Sequence, residues 1–232
     1  MSNPAAASLS RAAASAAVAE LGWRYVLGVA LTSVHAGGLR QAADAAAAIA
    51  AQAGPAAEDR LLADVRGSQL ILTVRNPAGG LLTEAETALA GRVTGILASL
   101  GLKPSAGDHG GRTVQQLEIA IDALDIHAVL PFWRAALGYR DEPGSEEQPG
   151  AIVDPAGQGP AVWFQQMAEP RPQRNRIHFD ISVPHDEARN RIDAALAAGG
   201  VLVSDAEAPA FWVLADAEGN EACITTWQGR DG

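Results

Sequence analysis

Residues 216–224 read DAEGNEACI, and an earlier stretch, residues 154–164, reads DPAGQGPAVWF. Each stretch begins with an aspartate, passes through a glycine followed by an amide residue, and ends in an apolar run. That pattern is typical of a turn that leads into a strand. Two copies about 60 residues apart indicate an internal duplication in the second half of the chain.

The residues around the two copies repeat in the same order. A strand pattern, a helix pattern and short strands come before each copy, so that two βαβββ units stand in tandem. The quoted elements of the first unit are VQQLEIAID (114–122), DIHAVLPFWRAALG (125–138) and PAVWFQQM (160–167). Those of the second are RIHFDISVP (176–184), DEARNRIDAALAAGG (186–200) and EACITTW (221–227). The repeat aligns Gln116 with His178 and Glu118 with Asp180.

The first half of the chain has a different pattern. The segment KPSAGDHGGRT (103–113) lacks apolar periodicity and predicts a linker, which separates a domain at 1–103 from one at 114–232. Before it, the periodicities predict the order αββαββα, with a capping box formed by Thr83 and Glu86. We therefore predict an α+β protein with two domains, joined by a linker at 104–113.

Composition narrows the range of partners. The net charge is -10 in 232 residues, which argues against nucleic acid because phosphate binding needs a basic surface. We expect no membrane partner, since no apolar run reaches bilayer length. The start lacks the basic region and leucine-rich core of a secretory signal, so we expect a cytoplasmic protein. Cys223 is the single cysteine and is interpreted as a buried reduced thiol.

The second half resembles a known superfamily. The motifs FWRAALGY (132–139), DPAGQGP (154–160), NRIHFD (175–180) and WVLADAEGNEACI (212–224) occur in the order found in the vicinal oxygen chelate superfamily. The resemblance covers residues 114–227 and is greatest to the glyoxalase-like branch. That superfamily includes glyoxalases, extradiol dioxygenases, epimerases, fosfomycin-modifying enzymes and bleomycin-binding proteins. The resemblance implies a cupped sheet, with helices on its convex side and a small-molecule ligand on its concave side.

Residues 8–102 resemble pterin-4a-carbinolamine dehydratase. The resemblance rests on LSRAAASAAVAELGWRY (9–25), the helix at 39–53 and GSQLILTVRNPAGGLLTEAE (67–86). The family's catalytic histidines are absent: Glu58 and Asp59 stand where the paired histidines belong, and Leu70 where the strand histidine belongs. Exposed carboxylates, with pKa values near 4, are poor proton shuttles at neutral pH. We expect an inactive domain that serves in dimerisation or ligand binding.

Metal ligands are implied by the superfamily resemblance at three positions, and strand alternation is compatible with them. Alternation puts Gln116 and His178 on the face opposite the helices, and Glu221 shares a face with Cys223 and Thr225. A metal site of Gln116, His178 and Glu221 follows, suited to one Fe, Mn, Ni or Zn ion. The fourth position used in glyoxalase I falls near Ala161, which cannot coordinate. The alternative is a metal-free site that binds or sequesters an aromatic small molecule.

Further residues are expected to line the same cup. Glu118, Asp180 and Glu221 are candidate acids and bases, because carboxylates in a partly dry cavity can transfer protons. Each can instead be an ordinary solvated or ion-paired residue. The candidate substrate-contacting side chains are aromatic: Trp163, Trp212 and Phe211. The resemblances to both families imply a homodimer. The functional hypothesis is a metal-assisted lyase, isomerase or dioxygenase, and the alternative is a metal-free binding protein.

Overall fold

A computed structural model describes residues 7–106, 114–143, 150–170 and 177–229. The chain divides into two compact units, Met1–Gln116 and Leu117–Gly232. Most of the predicted linker, at 107–113, lies outside the described residues. In the part of the chain that is described, no helix has the length and hydrophobicity needed to cross a bilayer.

The first unit contains the predicted order αββαββα. The elements are α1 (Arg11–Ala19), β1 (Arg24–Val26), β2 (Val29–His35), α2 (Leu39–Gln52), β3 (Leu61–Arg66), β4 (Gln69–Val74) and α3 (Glu84–Ser99). The strands pair in the antiparallel order β1-β2-β4-β3, and a short 3₁₀ turn, Pro55–Ala57, stands before β3.

Local signals explain how α3 begins. The backbone N–H of Thr83 donates to Glu86 Oε2 at 2.8 Å, and the Thr83 hydroxyl accepts from Ala85 N–H at 3.2 Å, which forms the predicted capping box. Glu86 is buried, and Arg60 Nε lies 2.8 Å from its other carboxylate oxygen. Burial of this charge is therefore compensated by a cation from the segment before β3.

The second unit contains the two predicted βαβββ modules. The first module consists of β5 (Glu118–Ala123), α4 (Ile126–Leu137), β6 (Arg140–Asp141), β7 (Ala151–Val153) and β8 (Ala161–Gln166). The second consists of β9 (Phe179–Ser182), α5 (Ala188–Ala197), β10 (Val201–Ser204), β11 (Phe211–Ala215) and β12 (Glu221–Thr225). The strands of the first module pair in the order β5-β8-β7-β6 and those of the second in the order β9-β12-β11-β10; β5 and β8 are parallel, as are β9 and β12.

Both modules contribute to one hydrophobic core. Trp133 on α4 is almost fully buried and makes a T-shaped contact with Phe179 of β9, at 5.5 Å between ring centroids. Arg191 on α5 donates from Nη1 to the carbonyl of Ala136 near the end of α4, at 3.1 Å. Neither module buries its apolar face alone, and the shared core explains why the duplicated unit folds as one.

One detail differs from the sequence prediction. The strands expected to begin at Val114 and Arg176 begin at Glu118 and Phe179, so Leu117 and Ile177 are exposed and do not face the helices. The strands of the two modules form two four-stranded sheets around the shared core, an α+β arrangement that is consistent with the fold implied by the resemblance. Alternation identifies the face of a residue only where the strand is hydrogen-bonded to a neighbour.

Candidate functional site

A buried aspartate shapes the turn that precedes the last strand. Asp216 is 2% exposed and accepts hydrogen bonds from the backbone N–H groups of Glu218 and Asn220, both at 2.9 Å. Its other oxygen accepts from the Asn220 amide at 2.8 Å and from Trp133 Nε1 at 2.9 Å. This aspartate therefore ties the start of β12 to the helix of the other module.

Glu218, in the same turn, reaches the other module as well. Its carboxylate accepts from the backbone N–H groups of Leu124 and Asp125, at 2.8 and 2.6 Å. Asp125 is the N-cap of α4 and accepts from Ala128 N–H at 3.1 Å. One turn thus orders both the start of β12 and the entry into α4.

Asp154 holds the matching turn of the first module. It accepts from the backbone N–H groups of Ala156, Gln158 and Gly159, at 2.8 to 2.9 Å. Burial alone raises the pKa of this carboxyl group, but the three hydrogen bonds lower it, and the net shift is downward from 3.8. The ionised form is therefore the one that the turn stabilises.

The polar face of β9 and β12 results from strand alternation. Asp180 pairs with Cys223 and Ser182 with Thr225 in the parallel register, and the two hydroxyl oxygens of the second pair are 2.8 Å apart. The intervening residues of both strands pack into the core. We call this surface the β9/β12 face; it consists of His178, Asp180, Ser182, Glu221, Cys223 and Thr225.

Three donor groups converge on this face. His178 Nδ1 lies 3.4 Å from Asp180 Oδ1 and 3.7 Å from Cys223 Sγ. All three donor atoms are within 4.8 Å of one another. Among the described residues, His178, Asp180 and Cys223 form the one cluster of at least three His, Cys, Asp or Glu side chains that could hold a metal ion. The side chains of His178 and Asp180 are 51% and 63% exposed, whereas Cys223 is 5% exposed.

This group shares only His178 with the predicted metal trio. Glu221 begins β12 on the same face as Cys223, but it is not a member of the close group. Gln116 precedes β5 and falls in the first unit, while His178 and Glu221 fall in the second, so its part in a metal site stays a prediction. Sequence reasoning passed over Cys223 because it was interpreted as a buried thiol, although alternation had already put it on the face of Glu221.

The corresponding face of the first module has a different chemistry. Glu118 pairs with Ala161, and Ala120 with Trp163, so Trp163 lies on the same face as Glu118. This register makes Ala161 the counterpart of Cys223. Burial raises the pKa of Glu142, and the negative charge of Glu118 raises it further.

The aromatic candidates on β11 lie on opposite faces. Phe211 pairs with Thr225 and therefore stands at the end of the β9/β12 face. Trp212 pairs with Ile224 and packs against the hydrophobic core. The structure thus brings Phe211, and not Trp212, to the side of the sheet that carries the donor groups.

Comparison with known families assigns the second half of the chain. Residues 118–225 match the family model described as "Glyoxalase-like domain". Residues 118–225 form a glyoxalase-like domain. This agrees with the resemblance predicted for 114–227. No curated protein sequence matches the chain. The resemblance of residues 8–102 to pterin dehydratases stays a prediction.

Solved structures that are similar to about half of this chain include the following three. One is a glyoxalase/bleomycin resistance protein/dioxygenase family enzyme from Burkholderia phytofirmans PsJN, at 18% identity over 47% of this chain and 95% of that chain, with a TM-score of 0.39. A glyoxalase-related enzyme from Fulvimarina pelagi is 21% identical over 49% of this chain and 88% of that chain, with a TM-score of 0.37. The fosfomycin resistance protein FosX from Mesorhizobium loti is 11% identical over 49% of this chain and 92% of that chain, with a TM-score of 0.39.

Proposed function

We propose that the glyoxalase-like domain binds a small organic molecule against the β9/β12 face, with the help of one divalent metal ion. The observation that carries this proposal is the convergence of donor atoms on His178 at an exposed face of the sheet. A bound ion would supply a positive charge that polarises a substrate oxygen, as lyase, isomerase or dioxygenase chemistry requires. Fe, Mn, Ni and Zn all accept such ligands.

The other residues of the domain would orient the molecule and hold its protons. Glu221 shares the face with the donor group and is our proposed proton acceptor. Phe211 at the end of that face, and Trp163 on the polar face of the first module, offer aromatic surface to a planar ligand. Glu118 and Glu142 form an acidic pair in the first module, and the raised pKa of Glu142 suits a group that holds a proton.

A metal-free binding protein is the second candidate function. It is favoured by the 3.4 Å contact between His178 and Asp180, because a histidine and a carboxylate at that distance satisfy each other without an ion. Ala161 also offers no ligand at the position that corresponds to Cys223 in the first module. In this case the domain would bind or sequester an apolar molecule by contact area alone.

Metal analysis of the full chain, purified without chelators, distinguishes the two candidates. We expect near-stoichiometric transition metal in the unmodified protein, its loss in H178A, and its retention in H127A, the matched control at an exposed histidine of α4. A metal-free protein that still shows thermal stabilisation by aromatic ligands would replace the first candidate with the second.

For the first unit we propose a pterin-dehydratase-like scaffold without dehydratase activity, which supports a homodimer. Leu70 occupies the position of the family's strand histidine and is fully buried in β4, whereas Glu58 and Asp59 are exposed before β3. A buried leucine cannot transfer a proton, and neither carboxylate supplies the imidazole that shuttles protons in that family. Measurable carbinolamine dehydration by the full chain contradicts this assignment.

A further inference from the structure

We propose that Cys223 is a metal ligand and that the site is a zinc-type centre of His178, Asp180 and Cys223. This inference rests on the proposed function in one respect, the presence of an ion at His178. It changes the donor set from an amide, an imidazole and a carboxylate to an imidazole, a carboxylate and a thiolate. The change matters because a thiolate selects a different class of metal.

The side of the strand on which Cys223 lies is the first reason. Its neighbours Ala222 and Ile224 both belong to the hydrophobic core of the second unit. Alternation turns Cys223 to the opposite face, where its sulfur lies 3.7 Å from the His178 ring nitrogen. A cysteine kept only for packing belongs with the apolar side chains, and this one is among the polar donors.

The separations between donor atoms are the second reason. Tetrahedral zinc, with bonds of about 2.3 Å to sulfur and about 2.0–2.2 Å to nitrogen and oxygen, sets neighbouring donors about 3.3–3.6 Å apart. The separations from His178 Nδ1 are 3.4 Å to Asp180 Oδ1 and 3.7 Å to Cys223 Sγ. The third pair is within 4.8 Å, and a rotation of the exposed Asp180 side chain would shorten it. The three side chains are therefore close to ligand geometry before any ion binds.

Strand pairing holds two of these donors in place. Asp180 and Cys223 are direct neighbours in the parallel register of β9 and β12. His178 comes just before β9, and its ring nitrogen lies near both of them. Ligands on paired strands are positioned by backbone hydrogen bonds, so little conformational entropy is lost at Asp180 and Cys223 when an ion binds. Glu221 lies on the same face but outside this close group.

The charges and the solvent exposure of the three side chains are the last reason to expect a metal ion here. A thiolate and a carboxylate together neutralise a divalent cation, which a glutamine amide does not. Cys223 is nearly buried, whereas His178 and Asp180 are about half exposed or more. The protein ligands would therefore cover one side of the ion and leave a position open to water or substrate, as in catalytic zinc sites. Zinc or cobalt is the expected class of ion, and magnesium or calcium is excluded by preference for oxygen ligands.

Cobalt and zinc titrations of the chelator-treated full chain test the inference. Cobalt should produce thiolate-to-metal charge-transfer absorption in the unmodified protein and in E221Q, but not in C223A or C223S. Zinc affinity, measured by competition with a chromophoric chelator, should fall by about 100-fold in C223A, since even the loss of a group that only orients a ligand costs 10- to 100-fold. In E221Q it should change by less than about 10-fold, because Glu221 is not in the close group.

A second readout needs no variant. The chain has one cysteine, so zinc should slow its modification by a thiol reagent if the sulfur is coordinated. Unchanged zinc affinity in C223A together with an unprotected thiol would overturn the inference, while loss of metal in H178A would leave the proposed function standing. Failure of the unmodified protein to bind zinc or cobalt would overturn the inference, and the proposed function would stand only if iron, manganese or nickel bound. Binding of aromatic ligands by a protein that takes up none of these metals would favour the metal-free candidate.

Discussion

The two modules of the second unit have the same architecture and different polar faces. In each, the first strand pairs in parallel with the last, and the registers match: Glu118 lies opposite Ala161 as Asp180 lies opposite Cys223. In the second module the face combines imidazole, carboxylate, thiol and hydroxyl groups. In the first module the face offers Glu118, alanines and Trp163.

This difference shows which features the fold itself requires. Both modules retain an aspartate that accepts backbone hydrogen bonds in the turn before the last strand, and both direct alternate residues into one core. The opposite face of each strand contributes little to that core, so its side chains are free to differ. The candidate donor groups therefore lie on the second module, and Trp163 lies on the first.

The largest loss of stability is expected on substitution of Asp216, which lies in the second module and accepts a hydrogen bond from the first. D216A removes the acceptor for Trp133 Nε1 and for two backbone N–H groups in a nearly buried position. We expect the free energy of unfolding to fall by about 3 kcal/mol, since buried donors are left without partners. Urea denaturation monitored by Trp fluorescence measures it, with the exposed Asp205→Ala as the control. A loss no greater than that of D154A would show that the two turns are equivalent.

A smaller loss of stability is expected on substitution of Glu218. This carboxylate has no counterpart in the first module, where Ala156 occupies the equivalent position. E218A removes two hydrogen bonds to the backbone before α4. We expect the free energy of unfolding to fall by about 1.5 kcal/mol. This is at the lower end of the range for hydrogen bonds to charged groups, because water can replace the lost acceptor at this exposed turn. E218Q keeps an acceptor and should recover most of that stability in the same urea experiment; equal losses in both variants would assign the effect to the charge.

The smallest loss of stability is expected on substitution of Asp154 in the turn of the first module, and this loss depends on pH. D154A removes three backbone hydrogen bonds from a partly exposed carboxylate, so we expect a loss of about 1 kcal/mol at neutral pH. The pKa of Asp154 is lower in the folded chain than its ordinary value of 3.8. Its contribution is therefore complete above that value and is lost as the pH falls through the lower folded pKa.

Stability curves of D154A and the unmodified chain, measured between neutral pH and about pH 2, test this dependence. The two curves should converge in the acid range below pH 4, because protonation removes the same acceptor that the substitution removes. A constant difference across this range would show that the charge of Asp154 does not stabilise the turn.

Much of the fold follows from local pattern. The duplicated turn motif predicted two βαβββ modules, and the capping box of Thr83 and Glu86 predicted the start of α3, because turns, caps and alternation depend on residues close in sequence. The starts of β5 and β9 were predicted too early, at Val114 and Arg176, since a strand begins where pairing with a neighbouring strand begins. Likewise, alternation alone could not choose between Phe211 and Trp212.

The sequence by itself determined the modules, the polar face that contains His178, and the presence of Glu221 and Cys223 on one side of the last strand. Only the tertiary structure decided which of these side chains approach His178. That choice depends on the parallel register of β9 and β12, which makes Asp180 and Cys223 neighbours although they are far apart in the chain. Register between distant strands is set by the packing of the whole core, and no local pattern contains it.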